Sequence, residues 1–221
     1  MPLLRQLGTL VGKGAKSVSR QGIYSFLEAQ LAQLQPGERV LSIGAGGEIG
    51  TRIIAERARG VNILQLDIDD KRGADIVADL CKWRADEPFD AIICSEVLEH
   101  VWAPHLAVEN MFASLREGGK LILTAPFVLP IHAAPNDFFR YTRHGLEVLL
   151  RDFKQVTIED RNSWAESLGV LAVRMVRKRK TRALEATVVP FVAAGYPLLR
   201  AVGKLFPANE MPTGYNVIAI R

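Results

Sequence analysis

The stretch VLSIGAGGEIG, Val40 to Gly50, decides the fold. An apolar run suited to a buried strand passes directly into Gly44, Gly46 and Gly47 and then into a helical pattern. Glycines at such a junction let the backbone turn sharply and bring a ligand close to a helix N-terminus. Dinucleotide-binding folds share this pattern. Glu48 discriminates: it falls where a pyrophosphate would sit, and its carboxylate would repel that anion while tolerating the zwitterionic methionine end of a sulfonium cofactor. A plain structural turn is the alternative, and three glycines within four residues weigh against it.

Outward from this loop, apolar runs and period-2 segments alternate with helical patterns, the signature of β-α-β units. Strands are expected at 39–43, 62–67, 75–78, 89–94, 119–125, 153–160 and 214–220, and helices at 22–34, 48–58, 103–115 and 143–151, with more helix between 164 and 206. Pro36-Gly37, Glu117-Gly118-Gly119 and Pro212-Thr213-Gly214 supply turns before three of the strands. The expected class is α/β: a Rossmann-like, seven-stranded, mainly parallel sheet with helices on both faces and a helical insertion before the last strand. One domain is expected over 1–221, comprising an N-terminal helical segment (1–35), a cofactor-binding core (36–163), the insertion (164–210) and a closing strand (211–221).

Composition fits one sizeable core, with 221 residues and 48% hydrophobic character. Cys81 and Cys94 have no metal-type spacing and are too few to staple such a chain, which fits a reducing compartment. No stretch reaches the roughly 18–20 uninterrupted apolar residues of a bilayer span, and Gly8, Gly12, Lys13, Gly14 and Lys16 interrupt any signal-peptide core. A cytoplasmic protein is expected. Of the net charge of +4, residues 164–206 carry eight Lys or Arg against two Glu, so the basicity is regional and a nucleic-acid partner is not indicated.

In LQLDIDD, Asp67 ends a strand about 20 residues beyond the glycine loop, the spacing at which a carboxylate accepts hydrogen bonds from both ribose hydroxyls. Asp69 and Asp70 read as a solvated loop. ADIVADL then brings Asp79 and Leu80 to the adenine edge, one as acceptor for the amine and the other as apolar wall. Gly44, Ala45 and Gly46 of the loop and Ile68 beside Asp67 belong to the same cofactor-binding set.

The strands FDAIICSEVLEHV (89–101) and EGGKLILTAPF (117–127), the segment HAAPNDFFRYTRHGLEVLL (132–150) and the closing TGYNVIAI (213–220) together resemble the class I methyltransferases of the type 11 group. The resemblance implies S-adenosylmethionine as cofactor, held by Gly44, Gly46, Asp67, Asp79 and Leu80, with Ser95 and Glu96 lining its pocket. The group usually has an acidic residue two positions before the first loop glycine, which helps orient the loop and the cofactor amino group, whereas this chain has Ser42; its hydroxyl can still hydrogen-bond, and altered affinity rather than lost binding is expected.

Methyl transfer from a sulfonium is an in-line displacement, so the protein chiefly positions the reactants and, for a hydroxyl acceptor, supplies a base. Glu96, Glu99 and His100 follow the carboxyl end of one strand and His132 the end of the next, where ligands of open α/β sheets collect. His100 and His132 are the candidate catalytic bases; for His100 a helix-capping or core role is the alternative. Glu96, Glu99 and His100 also match the acidic-acidic-histidine cluster of metal-dependent ubiquinone-pathway and small-RNA O-methyltransferases, but no fourth ligand is evident and no metal is assigned.

Phe138, Phe139 and Tyr141 read either as walls of an acceptor pocket or as packing for the following helix, and Arg140 and Arg143 as partners for an acidic or phosphorylated acceptor or as a solvated helix start. In the insertion, RMVRKRKTR places six basic residues in Arg174 to Arg182 ahead of the uncharged ATVVPFVAAGYPLL. That pairing suits peripheral docking on the anionic inner face of a membrane; a helical cap or homo-oligomer contact is the alternative. Similar methyltransferases with such an insertion are associated with cell-surface polysaccharide and lipid-linked sugars, so a hydroxyl of a sugar or lipid-linked glycan is the expected acceptor. An NAD(P)-dependent oxidoreductase and a non-catalytic scaffold at a membrane are the alternative readings.

Overall fold

The computed structural model describes residues 20–178, 182–208 and 210–221. The expectation for the first 19 residues, and the structure around Arg179 and Lys180 of the basic run, lie outside the described residues.

Strand β1 (Arg39–Ile43) is buried at four of its five residues because it is central: it pairs in parallel with β2 (Asn62–Asp67) on one side and β4 (Phe89–Ser95) on the other. A strand covered on both faces reads as a continuous apolar run rather than an alternating one. Beyond β2 lies β3 (Ile76–Val77), and beyond β4 come β5 (Leu115–Pro126), β7 (Gly214–Ile220) and β6 (Gln155–Arg161), giving one seven-stranded sheet in the order β3-β2-β1-β4-β5-β7-β6. β7 runs against its neighbours. Gly118 N–H, early in β5, donates to Arg221 O, while Phe127 N–H, just past its end, donates to Thr213 O; Lys154 and Arg161 bracket β6 in the same reversed sense against Ile220 and Thr213. The sheet is therefore mixed and mostly parallel, with the order reversing between β1 and β4. Leu41, Ile92, Ile93, Leu121, Ile122 and Leu123 form its fully buried centre.

Helix α1 is described over 20–31 and buries Ile23, Leu27 and Leu31 at helical spacing. It is followed by α2 (Gly47–Ile54), α3 (Pro104–Ser114), α4 (Arg143–Leu149), α5 (Trp164–Lys178) and α6 (Arg182–Leu205). Two compact units are distinguished. One holds residues 26–126, 132–159 and 215–221, and with them nearly all of the sheet; the other holds the described residues of 1–25, 127–131 and 160–214. Within the second unit, Ser163 and Glu166 make a reciprocal cap on α5, the Ser163 N–H donating to Glu166 Oε2 at 2.9 Å. Gly169 lets α6 approach α5, since a side chain there would meet Leu199 at 2.9 Å.

Three element bounds depart from the sequence reading for local reasons. β3 is two residues long because the Gln65 N–H donates to the Asp75 side chain at 2.8 Å, a carboxylate that also pairs with Arg57 at 2.6 Å, in place of a longer ladder. α2 ends at Ile54 and tightens into a 3₁₀ turn over Ala55–Arg59 that Gly60 closes at φ 84°. β5 starts at Leu115, ahead of the expected 119: Leu115 pairs with Phe89 and Lys120 with Ala91, the extra residues forming a bulge around Gly118 at φ 71°.

At the end of the sheet remote from the glycine loop, Asp90 ties three strands together. Its carboxylate accepts the Arg39 N–H at 2.8 Å and Arg116 Nε at 2.6 Å. Burial opposes its charge, but the Arg39 N–H and the Arg116 guanidinium outweigh this and hold the carboxyl below its usual range. A lowered folded-state pKa stabilises above the unfolded value and ceases to do so as pH falls through the folded one. Replacing Asp90 by Asn is expected to cost about 1.5–3 kcal/mol in urea unfolding at pH 7. The difference from the unaltered chain should shrink as pH drops below the ordinary aspartate range, and a cost independent of pH would show that the charge plays no part.

Candidate functional site

The carboxyl ends of β1, β2, β4 and β5 meet at the point where the strand order reverses, the position at which open α/β sheets bind ligands. Gly44 leaves β1 at φ 88°, and a Cβ there would stand 2.7 Å from Val97 Cγ2, so only glycine permits the loop after β1 to lie against the turn after β4. Gly46 caps α2 at φ 81°, with nothing within 4 Å of where its Cβ would stand. Glu48 is exposed in the first turn of α2, 3.8 Å from Arg52.

Asp67, at the end of β2, is buried beside this loop. One carboxylate oxygen accepts the Ala45 N–H at 2.7 Å and the other the Asp69 N–H at 3.0 Å. A carboxylate has about four lone-pair sites, which leaves capacity for two further donors. Arg72 donates to Ala45 O at 3.2 Å and closes the far side of the loop. Ile68 is 69% exposed directly beside Asp67, an apolar face open to solvent. Asp79 uses Oδ1 to accept the Cys81 N–H at 2.9 Å, and Leu80 beside it is buried. Of the cofactor residues expected from sequence, Gly44, Ala45, Gly46, Asp67 and Ile68 lie at the first two turns, joined by the Ala45–Asp67 bond, and Asp79 and Leu80 follow β3, the strand paired with β2.

Ser42 departs from expectation. Its hydroxyl is fully buried and makes no hydrogen bond to the protein, so it does not itself orient the loop as an acid there would. β4 ends on Ser95, whose hydroxyl shares a 2.9 Å hydrogen bond with Thr124 Oγ1. Thr124 in turn donates to Glu96 Oε1 at 3.2 Å. Glu96 adopts φ 54°, a left-handed conformation that side chains other than Gly, Asn and Asp rarely hold and that recurs in functional turns.

The turn Leu98–His100 follows, and here residues distant in sequence meet. Glu99 is 0% exposed, yet neither carboxylate oxygen has a hydrogen-bond partner. His100 Nε2 lies 3.7 Å and His132 Nε2 3.6 Å from its Oε1, and the two rings stand edge to face with centroids 4.9 Å apart. Burial pushes the Glu99 carboxyl up from its usual range, a trend that His132 opposes and Glu96 reinforces. The His132 imidazole is raised, chiefly by Glu99 and against burial.

The strap that carries His132 is anchored on β4's turn. The N–H groups of Phe138 and Phe139 both donate to Glu99 O, at 2.9 and 3.2 Å, and the Tyr141 hydroxyl donates to Leu98 O at 2.8 Å. Asp137, 1% exposed at its side chain, accepts the His132 N–H at 2.7 Å and forms a two-pronged ion pair with Arg140, at 2.6 and 2.7 Å. This pair holds Asp137 well below the carboxylate range.

Three sequence expectations change accordingly. Arg140 is committed to Asp137, and Arg143 donates to Ile158 O at 2.8 Å, so neither guanidinium is presented to an acidic acceptor. Tyr141 is buried and works as a tie rather than as a pocket wall. Phe138 and Phe139, at 47% and 37% exposure, do not serve as core packing for α4. Asp137 and Thr124 were not singled out by sequence; the Asp137–Arg140 spacing of three residues is the signal that marks the pair.

Comparison with known proteins agrees with this geometry. A family model described as a methyltransferase domain matches residues 19–168. A protein-L-isoaspartate O-methyltransferase 2 of Shewanella sediminis is 26% identical over 127 residues, 51% of this chain and 49% of that protein, so the match spans about half the length of the relative. An S-adenosylmethionine-dependent methyltransferase from Archaeoglobus fulgidus superposes with a TM-score of 0.61 at 16% identity, over 91% of this chain and 94% of that one. The phosphoethanolamine N-methyltransferase 2 of Haemonchus contortus, in complex with S-adenosyl-L-methionine, gives 0.57 at 15% identity over 91% and 52%. The family model covers well over half of the chain and the seven-stranded sheet is shared: the chain belongs to the methyltransferase-domain family and has its class I fold.

Proposed function

We propose that the chain transfers the methyl group of S-adenosylmethionine to a hydroxyl of a sugar or lipid-linked glycan. The observation that carries the cofactor assignment is the Asp67 carboxylate, buried, bonded to the Ala45 N–H at 2.7 Å and retaining acceptor capacity for a ribose. Gly44, Ala45 and Gly46 take the methionine end, Ile68 and Leu80 border the adenine, Asp79 accepts its amine, and Ser95 and Glu96 line the path to the sulfonium. Glu99, His100 and His132 form the acceptor end, with Trp102, Phe138 and Phe139 exposed nearby in the sequence as apolar faces for a sugar ring. His100 and His132 are the residues assigned to activating the acceptor hydroxyl, since an imidazole can accept its proton and the Glu99 carboxylate beside both rings favours the imidazolium that results.

The lipid-linked part of the reading is supported by α6. Leu184, Phe191, Leu198 and Leu205 recur every seven residues and are 43%, 81%, 68% and 73% exposed, and Phe206 extends the row at 68%. In sequence this apolar stripe follows the six basic residues of Arg174–Arg182, a pairing of apolar and cationic chemistry that suits an anionic bilayer surface. No single helix among the described residues is long and apolar enough to cross a membrane; Ala186–Val192 and Ala194–Leu205 qualify only as a pair bent by 43°.

Two experiments test these readings. With labelled S-adenosylmethionine and fractionated cell extract, label is expected in lipid and glycan pools, and Asp67→Ala should weaken S-adenosylhomocysteine binding by about 1.5–3 kcal/mol in a folded protein. Label confined to protein or nucleic acid would sink the acceptor class, and unchanged affinity would remove Asp67 from the site. In vesicle co-sedimentation, anionic liposomes should pellet the chain at low salt, with less pelleting at high salt and in the Phe191→Glu, Leu198→Glu double variant. Pelleting that is equal with neutral vesicles, or absent throughout, would contradict membrane docking.

A further inference from the structure

We propose that Arg140 fixes His132 as a proton donor to Glu99 and so leaves His100 as the imidazole that takes the proton of the methyl acceptor. The inference rests on the reading of this cluster as the acceptor end and divides the work between its two histidines, with Arg140 as a positioning residue.

The proton positions follow from what stands behind each ring. Arg140 Nη2 lies 3.4 Å from His132 Nδ1. A guanidinium only donates, so the neutral ring meets it with the Nδ1 lone pair and carries its proton on Nε2. Asp137 Oδ2 is 3.6 Å from the same Nδ1, but it already accepts the His132 main-chain N–H and Arg140 Nη2, each at 2.7 Å. With about two lone-pair sites on each carboxylate oxygen, Oδ2 has none left for a hydrogen on Nδ1. Arg140 is held in this role by its second prong, Nη1 to Asp137 Oδ1 at 2.6 Å.

His100 is the reverse case. Its Nδ1 faces the carbonyl oxygen of Asn136, which only accepts, so the neutral ring carries its proton there and keeps a lone pair on Nε2. The two rings, edge to face with centroids 4.9 Å apart, are therefore opposite tautomers. Both turn Nε2 toward Glu99 Oε1, His132 across 3.6 Å with a hydrogen and His100 across 3.7 Å without one.

This asymmetry decides the chemistry. Glu99 is 0% exposed and its oxygens have no hydrogen bond, so its negative charge leans on the His132 Nε2–H. Protonating His132 does not remove that hydrogen, because an imidazolium carries one on each nitrogen. In both charge states His132 turns a donor toward Glu99, and a hydroxyl finds no free lone pair on it. His100 Nε2 has one. The proton of the acceptor hydroxyl passes to His100 Nε2, the acceptor oxygen forms its bond to the methyl carbon, and the carbon–sulfur pair returns to sulfur as a neutral thioether. The His100 imidazolium lies between the Asn136 carbonyl and the Glu99 carboxylate, and it then gives the proton to water. Catalytic hydrogen bonds are often long before the reactants bind and tighten with them.

Long-range ¹H–¹⁵N NMR of the imidazoles in the purified full chain reads the proton positions directly, with the exposed His105 and His144 as references. His132 should carry a proton on Nε2 in its charged and neutral forms alike, and neutral His100 should carry its proton on Nδ1. Arg140→Met keeps the length of the side chain and removes its donors, so it should move the neutral His132 proton to Nδ1, where Asp137 Oδ2 is freed to accept it. A bare Nε2 on His132 or a bare Nδ1 on His100 in the unaltered chain overturns the inference whether or not the variant folds, and a His132 tautomer indifferent to Arg140→Met removes Arg140 from its role. Labelled methyl transfer into fractionated extract gives a second readout. His132→Gln, whose amide N–H replaces the Nε2–H, should restore transfer by at least about tenfold over His132→Ala, while His100→Gln restores none over His100→Ala. Equal restoration at both positions contradicts the division of work. The tautomers are read without cofactor or acceptor, so a chain that failed to bind S-adenosylhomocysteine would strike at the methyltransferase reading and not at the proton positions.

Discussion

The absence of room for a side chain at Gly44 is the constraint on which the site depends. With Val97 Cγ2 2.7 Å from the place a Cβ would take, the loop after β1 and the turn after β4 are in contact, and any larger residue would force them apart. Asp67, Glu99 and the strap bearing His132 are each tied to one of these two segments. The β1 loop carries Ala45, whose N–H fixes Asp67; the β4 turn carries Glu96 in its left-handed conformation, then Glu99, whose carbonyl anchors the strap bearing His132. Parallel pairing of β1 with β2 and β4 places both segments at the same edge of the sheet.

The two ends of the crevice are built differently. At the end proposed for the cofactor, polar partners come from neighbouring main-chain groups: Asp67 is satisfied by N–H donors and keeps lone pairs in reserve. At the end proposed for the acceptor, the side chains are held from outside. Asp137 is locked by Arg140, His100 is locked by the Asn136 carbonyl, and Glu99 at the centre is left without a hydrogen bond. A buried network with every outer member satisfied and its central member unsatisfied departs from the usual pairing of buried polar groups, and such departures mark functional sites.

How much of this could be read from sequence follows from the range of the interactions. β1, β2 and β7 appear over the residues expected because continuous or alternating apolar runs are local signals. Gly44 and Asp67 were visible for the same reason, since a glycine turn and an acid at a strand end carry their chemistry within a few residues. Glu99 and His132 were each visible singly, but their meeting depends on a strap tied down by backbone bonds from Phe138 and Phe139, which no residue type announces. For Arg140 the sequence left an acidic acceptor and a solvated helix start open, and neither anticipates Asp137, three residues earlier, which takes it in a two-pronged pair. Ser42 could not be placed from sequence, because a hydroxyl on a strand buried on both faces has no guaranteed protein partner.

The central claim is that this crevice is shaped for the adenosyl-methionine skeleton, with Asp67 on the ribose and the glycine loop free of phosphate. Isothermal titration of the unaltered chain with S-adenosylhomocysteine, NAD and NADP addresses it most directly. The account predicts saturable binding of S-adenosylhomocysteine at one site per chain, in the range of about 1 μM to 1 mM that corresponds to roughly −8 to −4 kcal/mol, and no heat from either nicotinamide. Binding of NAD or NADP with no response to S-adenosylhomocysteine would contradict it.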